Sequence, residues 1–284
     1  MPSSALPDRT VVTVAGPDAE HLLQNIVTTD LDALAPGEAR PGALLSPQGK
    51  ILFDFLISRD GADGFRLDVR RDAADDLVRR LTLYRLRAKA EISKQDQIVV
   101  SAVWENDSGG SENDSSLIRD MRFRTMPVYR SYGAAPEPEG SPYGWTALRI
   151  ANGIAESGED YAPGDAFPHD ALLDQMDGVG FRKGCYVGQE VVSRMQHRGT
   201  ARRRVLIAES AQDLPPSGAE LRAGGKPLGR LGSAQGRHGL AIVRIDKVKQ
   251  AMDAGERILA DGVEVALSIP GWAAFSFPED AEEA

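Results

Sequence analysis

From Arg204 onward the chain is a succession of short strand-like runs, at residues 205–208, 227–232, 240–244, 258–259 and 263–269, with turn residues between them at short intervals. That spacing predicts a small β-barrel or sandwich. The preceding two thirds of the chain read differently. Residues 10–15 alternate and are β-branched, which predicts a strand. Gly16-Pro17-Asp18 then opens a helix, with Pro17 in its first turn and Leu22, Leu23, Ile26 and Val27 on one face. Two apolar runs, 43–46 and 51–58, flank Pro47-Gln48-Gly49-Lys50 and predict a hairpin. Residues 65–69 predict a strand. Residues 72–86 predict an amphipathic helix with Asp72 as N-cap and Leu77, Leu81 and Tyr84 facing inward. Residues 98–104 return as a strand, so 53–104 read as a compact α+β piece.

Farther on, polar 105–116 and Pro/Gly-rich 134–144 predict loops, and 145–155 a helix. Residues 179–181 predict a short strand, and 188–198 a helix ended by Gly199. The expected organisation is a module over 1–198, with an inserted α+β subdomain at about 46–118, then a barrel over 199–277 and a disordered acidic tail over 278–284.

One cysteine in 284 residues excludes an intrachain disulfide and predicts a reducing, cytoplasmic compartment. The N-terminus lacks a basic stretch followed by an apolar run, so no secretory signal is expected. No apolar stretch is long enough for a membrane span. The net charge of −9 argues against a general nucleic-acid binder, so no direct nucleic-acid partner is expected. A monomer is expected. Arg194, His197, Arg198, Arg202, Arg203 and Arg204 still form a local basic cluster. It reads either as a solvated helix end and linker or as an anion-attracting rim.

The single cysteine lies in Lys183-Gly184-Cys185-Tyr186-Val187-Gly188-Gln189-Glu190. A lone cysteine is ordinarily a small buried hydrophobe. Here Gly184 and Gly188 allow a tight turn and close backbone approach, a predicted helix follows, and Lys183 is two residues away. A helix N-terminus and a nearby ammonium both favour thiolate over thiol, which suits nucleophilic attack or metal ligation. Gln189 and Glu190 can cap backbone amides or face a ligand.

This segment, extended upstream through Met176-Asp177-Gly178-Val179-Gly180-Phe181, resembles the signature of YgfZ proteins and their mitochondrial iron–sulfur assembly relatives. Gln24-Asn25-Ile26-Val27-Thr28-Thr29-Asp30 and Leu44-Leu45-Ser46-Pro47-Gln48-Gly49-Lys50-Ile51-Leu52 resemble the same family's N-terminal segments. The resemblance covers residues 9–274 and extends to the T-protein of the glycine cleavage system, a tetrahydrofolate-dependent aminomethyltransferase. It implies an α+β fold of the T-protein type, a three-part ring in which two α+β subdomains surround a folate cavity and a β-barrel follows. It implies tetrahydrofolate as cofactor, and a role in maturing or repairing iron–sulfur proteins, including tRNA-modifying methylthiolases, through Cys185 with Lys183. The implied partners are folate and iron–sulfur client or assembly proteins.

Trp145 and Arg149 are four apart on a predicted helix and share a face, so indole and guanidinium could stack on a pterin ring and pair with a carboxylate. The resemblance assigns Trp145 to folate contact and likens Asp54 to the T-protein aspartate near the folate nitrogen. Tyr186, Gln189 and Glu190 complete the implied cofactor-binding set. One departure stands out. T-proteins carry a glutamate in an Arg-Ile-Glu-Ala-Gly-like run, and here Arg149-Ile150-Ala151-Asn152-Gly153 has Ala151 in its place. That argues against the first rival reading, a C1-transferring aminomethyltransferase. The second rival is a thiol-dependent enzyme without folate. No Cys, His, Asp or Glu cluster has metal-site spacing, and His21, His169, His197 and His238 read as surface or structural. One cysteine cannot supply the four thiolates of a usual cluster, so a transient iron–sulfur cluster would be shared with a partner or small thiol.

Overall fold

The computed structural model describes residues 2–104, 116–133 and 142–278. The expectations at 105–115, 134–141 and 279–284 lie outside the described residues. Two compact units form, one from Met1–Trp145 with Met176–Val191, the other from Thr146–Gln175 with Val192–Ala284.

The first unit carries a nine-stranded sheet. Its strands are β1 (Ser3–Ala5), β2 (Arg9–Ala15), β3 (Glu38–Leu45), β4 (Ile51–Arg59), β5 (Gly64–Arg70), β6 (Glu91–Gln95), β7 (Val99–Trp104), β8 (Leu117–Asp120) and β9 (Val128–Gly133). Their order is β1-β7-β9-β8-β3-β4-β5-β2-β6. The stretch 46–118 therefore supplies strands to the same sheet as β1, β2 and β3. The 47–50 turn closes the β3–β4 hairpin as expected: the Lys50 carbonyl accepts the Ser46 amide at 2.8 Å, and Gly49 takes the left-handed conformation (φ 79°) that glycine tolerates.

Helices α1 (Ala19–Gln24) and α2 (Ala74–Arg85) pack on this sheet. Leu22 and Leu23 of α1, and Leu77 and Leu81 of α2, join Val12, Val14, Phe55, Ile57, Phe65 and Leu67 in one apolar cluster. Each such side chain contributes about 1.5–3 kcal/mol on burial. Ile26 and Val27 lie beyond the end of α1 and are buried all the same. Asp72 does not cap α2. It falls in a preceding 3-10 turn (Arg71–Ala73), and its carboxylate pairs with Arg70.

Residues 179–181 are not a strand. Their backbone is held by Thr28, whose carbonyl accepts the Gly180 amide at 2.8 Å, so no ladder forms. Helix α3 (Pro142–Ala151) begins three residues before its predicted start because Pro142 suits a first helical turn.

The second unit contains β10 (Arg203–Glu209), β11 (Glu220–Ala223), β12 (Lys226–Gln235), β13 (His238–Arg244), β14 (Ile258–Ala260), β15 (Val263–Glu264) and β16 (Ala266–Ser268). The order is β15-β14-β11-β12-β13-β10-β16. The two edge strands are separated in sequence by Val265 alone, so a single stretch pairs with β14 at one end and β10 at the other. That switch closes the sheet on itself and yields the predicted barrel. Leu206, Leu221, Leu231, Val243 and Leu267 fill its interior. The second unit also holds α4 residues from Val192 onward, within α4 (Gln189–Arg198), and α5 (Ile245–Asp253). Helix α5, absent from the sequence reading, buries Ile245, Val248 and Ala251 at three-residue spacing.

Candidate functional site

Three stretches singled out in the sequence, 24–30, 44–52 and 176–190, meet in the first unit. Thr28 knits them together. Its hydroxyl donates to the Gly178 carbonyl at 2.7 Å and accepts the Ala43 amide at 2.9 Å, while its own amide donates to the Ala43 carbonyl at 2.9 Å. Asp54 of β4 lies cross-strand from Ala43, so it belongs to the same neighbourhood.

Lys183 points into this junction. Its ammonium donates to the carbonyls of Val27 at 2.9 Å and Thr29 at 2.6 Å. Its stem crosses Gly180, where a Cβ would sit 2.6 Å from Lys183 Cδ, so only glycine admits the lysine there. Burial pushes the Lys183 amine down to about 8, against the upward pull of Asp30 and Asp32. The lysine expected to act beside the thiol therefore also clamps the segment to the α1–β3 connection.

The two glycines flanking Cys185 differ. Gly184 has open space where a Cβ would be. Gly188 (φ 81°) is pressed against the hairpin turn, where a Cβ would lie 2.5 Å from the Ser46 carbonyl oxygen and 3.1 Å from Gly49 Cα. Only Gly188 is demanded by close approach. Cys185 itself is free and exposed. Helix α4 starts at Gln189, whose amide donates to the Tyr186 carbonyl at 3.2 Å, and Glu190 is exposed in its first turn. Tyr186 is buried, with the Lys183 ammonium 5.4 Å from its ring centroid. Its hydroxyl has no hydrogen-bond partner among the described residues, and burial pushes the phenol well above the usual tyrosine range.

Trp145 and Arg149 have separate partners. In the first unit Trp145 is buried, tilted against Phe123 at 5.6 Å, with the Arg130 guanidinium 4.7 Å from its ring centroid. In the second unit Arg149 is buried and donates to the Ile154 carbonyl at 2.7 Å, Asp160 at 3.1 Å and the Ser233 hydroxyl at 3.0 Å. The guanidinium expected to meet a folate carboxylate instead braces the end of α3 against β12. Ala151 lines a cavity of about 360 Å³ with Ala147, Ile150, Ile207, Glu209, Gln235 and His238.

Sequence reasoning missed the charge cluster behind Trp145. Arg9, Asp68, Asp120, Arg122 and Arg130 are all buried. Arg9 donates to Asp68 at 2.7 Å, Arg122 to Asp120 at 2.8 Å and Arg130 to Asp120 at 3.3 Å. Tyr132 donates to Asp68 at 3.3 Å. Burial alone would raise the Asp120 pKa, but Arg122 and Arg130 outweigh it and hold the carboxyl below its usual range. These residues sit on β2, β5, β8 and β9, with Arg122 in the turn after β8, so local pattern carried no signal of their meeting. Among the described residues no three His, Cys, Asp or Glu side chains group as a metal-ligand set.

The architecture defines the class. The fold matches the crystal structure of the glycine cleavage system aminomethyltransferase T from Bartonella henselae with a TM-score of 0.71, over 95% of this chain and 86% of that one, at 16% identity. This is the T-protein fold. Residues 202–275 match the CAF17 C-terminal β-barrel domain. The iron–sulfur cluster assembly factor IBA57, mitochondrial, of Homo sapiens is 31% identical over 94% of this chain and 84% of its own length. The Mus musculus protein is 30% identical with the same coverage. The Mycosarcoma maydis homologue is 29% identical, with 94% of this chain and 83% of its own length covered. This chain belongs to the IBA57 family, the YgfZ-like branch of the T-protein superfamily.

The cytoplasmic expectation is overturned. The relatives that establish the family are named as mitochondrial proteins. A single cysteine reports a reducing environment only, and carries nothing that separates one reducing compartment from another.

Proposed function

We propose that the chain acts in the maturation or repair of iron–sulfur proteins, with Cys185 as its working group. The observation that carries this reading is an exposed, free thiol on a segment whose neighbours are fixed: Lys183 by two carbonyls, Gly188 by the hairpin turn. The names of the family's members support the role. Cys185 offers one thiolate where a cluster usually takes four ligands. The cluster is then cargo, held jointly with an assembly or client protein, tRNA-modifying methylthiolases among the clients.

We extend the proposal to a reduced folate bound in the same unit. What supports it is the Tyr186 hydroxyl, a buried polar group without a partner among the described residues; Trp145 is buried against Phe123 and Arg130, so it would have to part from one of them to stack on a pterin. Tyr186 and Trp145 would hold the ligand, with Asp54, Gln189 and Glu190 nearest the junction. Folate would supply a one-carbon carrier there. Arg149 is committed to Asp160, and α3 presents Ala151 rather than a carboxylate, so aminomethyl transfer is the weaker reading.

The test is Cys185→Ser. The residue is exposed, so the variant should fold with unchanged melting, yet fail to restore iron–sulfur enzyme activity in cells lacking the protein. Full rescue by the folded serine variant would sink the role assigned to the thiol. Titration with tetrahydrofolate, read by Trp fluorescence, tests folate binding separately: no saturation at millimolar ligand removes folate from the proposal.

A further inference from the structure

The basic cluster at 194–204 is resolved by the structure into two kinds of arginine. Arg203 donates to Asp165 at 2.8 Å and lies 3.4 Å from Asp170. Arg204 is nine-tenths buried, and one guanidinium nitrogen donates to Asp174 at 2.6 Å and to the His169 carbonyl at 2.9 Å. The side chains of Arg198 and Arg202 make no hydrogen bond or ion pair to any described residue. They stand on either side of the Gly199-Thr200-Ala201 turn, where Gly199 (φ 60°) ends α4 and the Thr200 amide donates to the Met195 carbonyl at 3.2 Å. The Ile245 amide donates to the Arg202 carbonyl at 2.8 Å, which fixes the far side of the turn to the start of α5.

Both open arginines line a cavity of about 490 Å³ within the second unit. Arg204 lines it too, with its guanidinium 4.9 Å from the Phe275 ring centroid and its Nε buried without a hydrogen-bond partner among the described residues. The two carboxylates in the lining are already neutralised, Asp174 by Arg204 and Asp246 by Arg244. The two positive charges of Arg198 and Arg202 are left lining the space. A volume of that size lies within the range of small-molecule sites.

We propose that this cavity binds a small dianion through its oxyanion groups, a dicarboxylate or a phosphate, with Arg198 and Arg202 as the charge partners. The site is separate from Cys185 and does not depend on the iron–sulfur reading. Guanidinium forks match both carboxylate and phosphate oxygens, so glutarate and inorganic phosphate serve as the two probes.

Calorimetry on the full chain should show saturable binding of at least one probe, weakening as salt is raised. The probe that binds names the source: glutarate a dicarboxylate, phosphate a phosphate. Arg202→Gln and Arg198→Gln should each weaken binding by about tenfold, the effect of losing one charge-assisted contact, with melting unchanged because neither side chain has a partner among the described residues to lose. Arg204→Gln is unsuitable alone, since it strands Asp174. Absence of binding for both probes at millimolar concentration overturns the site. So does binding that the double variant Arg198→Gln/Arg202→Gln leaves intact.

Discussion

The two sheets fill their interiors by different means. The barrel encloses leucine, valine, isoleucine and alanine. The nine-stranded sheet has an apolar cluster under α1 and α2, but elsewhere it encloses Arg9, Asp68, Asp120, Arg122 and Arg130. Asp68 lies on β5 and Arg130 on β9, strands that are not neighbours, yet their side chains are 3.6 Å apart. The sheet must fold across its own face to bring them together. An apolar interior tolerates small errors of position because dispersion and hydrophobic burial are non-directional. A buried ion cluster does not, since each charge that loses its partner keeps its desolvation cost. The comparison teaches that the first unit is held to one geometry around Trp145, whereas the barrel is held mainly by volume.

Removing a charge from the cluster should therefore have the largest effect. Arg130→Ala leaves Asp120 with a weakened set of partners and Trp145 without its cation. We expect a loss of about 3–5 kcal/mol in denaturant unfolding, at the scale of breaking a buried ion pair. A loss below about 1 kcal/mol would mean that the cluster is not what fixes this unit. The barrel counterpart is Leu221→Ala, at a fully buried site in the apolar core. It should cost about 2–4 kcal/mol from lost transfer energy and the residual cavity, and the cost should be insensitive to salt. A marked salt dependence there would erase the contrast between the two interiors.

The smallest effect concerns Lys183. Its folded amine is held down to about 8, against 10.5 for the ordinary lysine. Between those values the unfolded chain binds the extra proton and the folded chain does not, so stability from this site rises as pH climbs through that window. The wild type should gain on Lys183→Met between pH 8 and pH 10, measured by urea midpoints. A constant difference across that range would mean that the lysine stays charged in the fold, held by the Val27 and Thr29 carbonyls.

How much was legible before the structure varies by element, and the reason is range. The β3–β4 hairpin, the capping by Gly199 and most barrel strands rest on contacts between near neighbours in sequence, and they formed as the turn residues and apolar alternation required. Strand β11 escaped notice because its inward Leu221 and Ala223 are interleaved with charged Glu220 and Arg222 over only four residues. Residues 179–181 resembled a strand by composition, but Thr28, far off in the sequence, claims the Gly180 amide. In the candidate site, Cys185 and Lys183 could be picked out by residue type, whereas the ammonium's direction could not.

By itself, then, the sequence determined the local alphabet of this protein: short strands after Arg204, a glycine-bounded thiol segment, and the family to which those stretches point. The tertiary structure alone decided which charges are used and which are left open. Arg149 and Arg204 are committed to Asp160 and Asp174, Arg198 and Arg202 remain unpartnered among the described residues, and Arg130 stands over Trp145. The physical reason is that a turn or a strand is fixed by backbone preferences within a few residues. A guanidinium's partner is fixed by which distant carboxylate shares its low-dielectric surroundings, and that is settled only when the strands have packed.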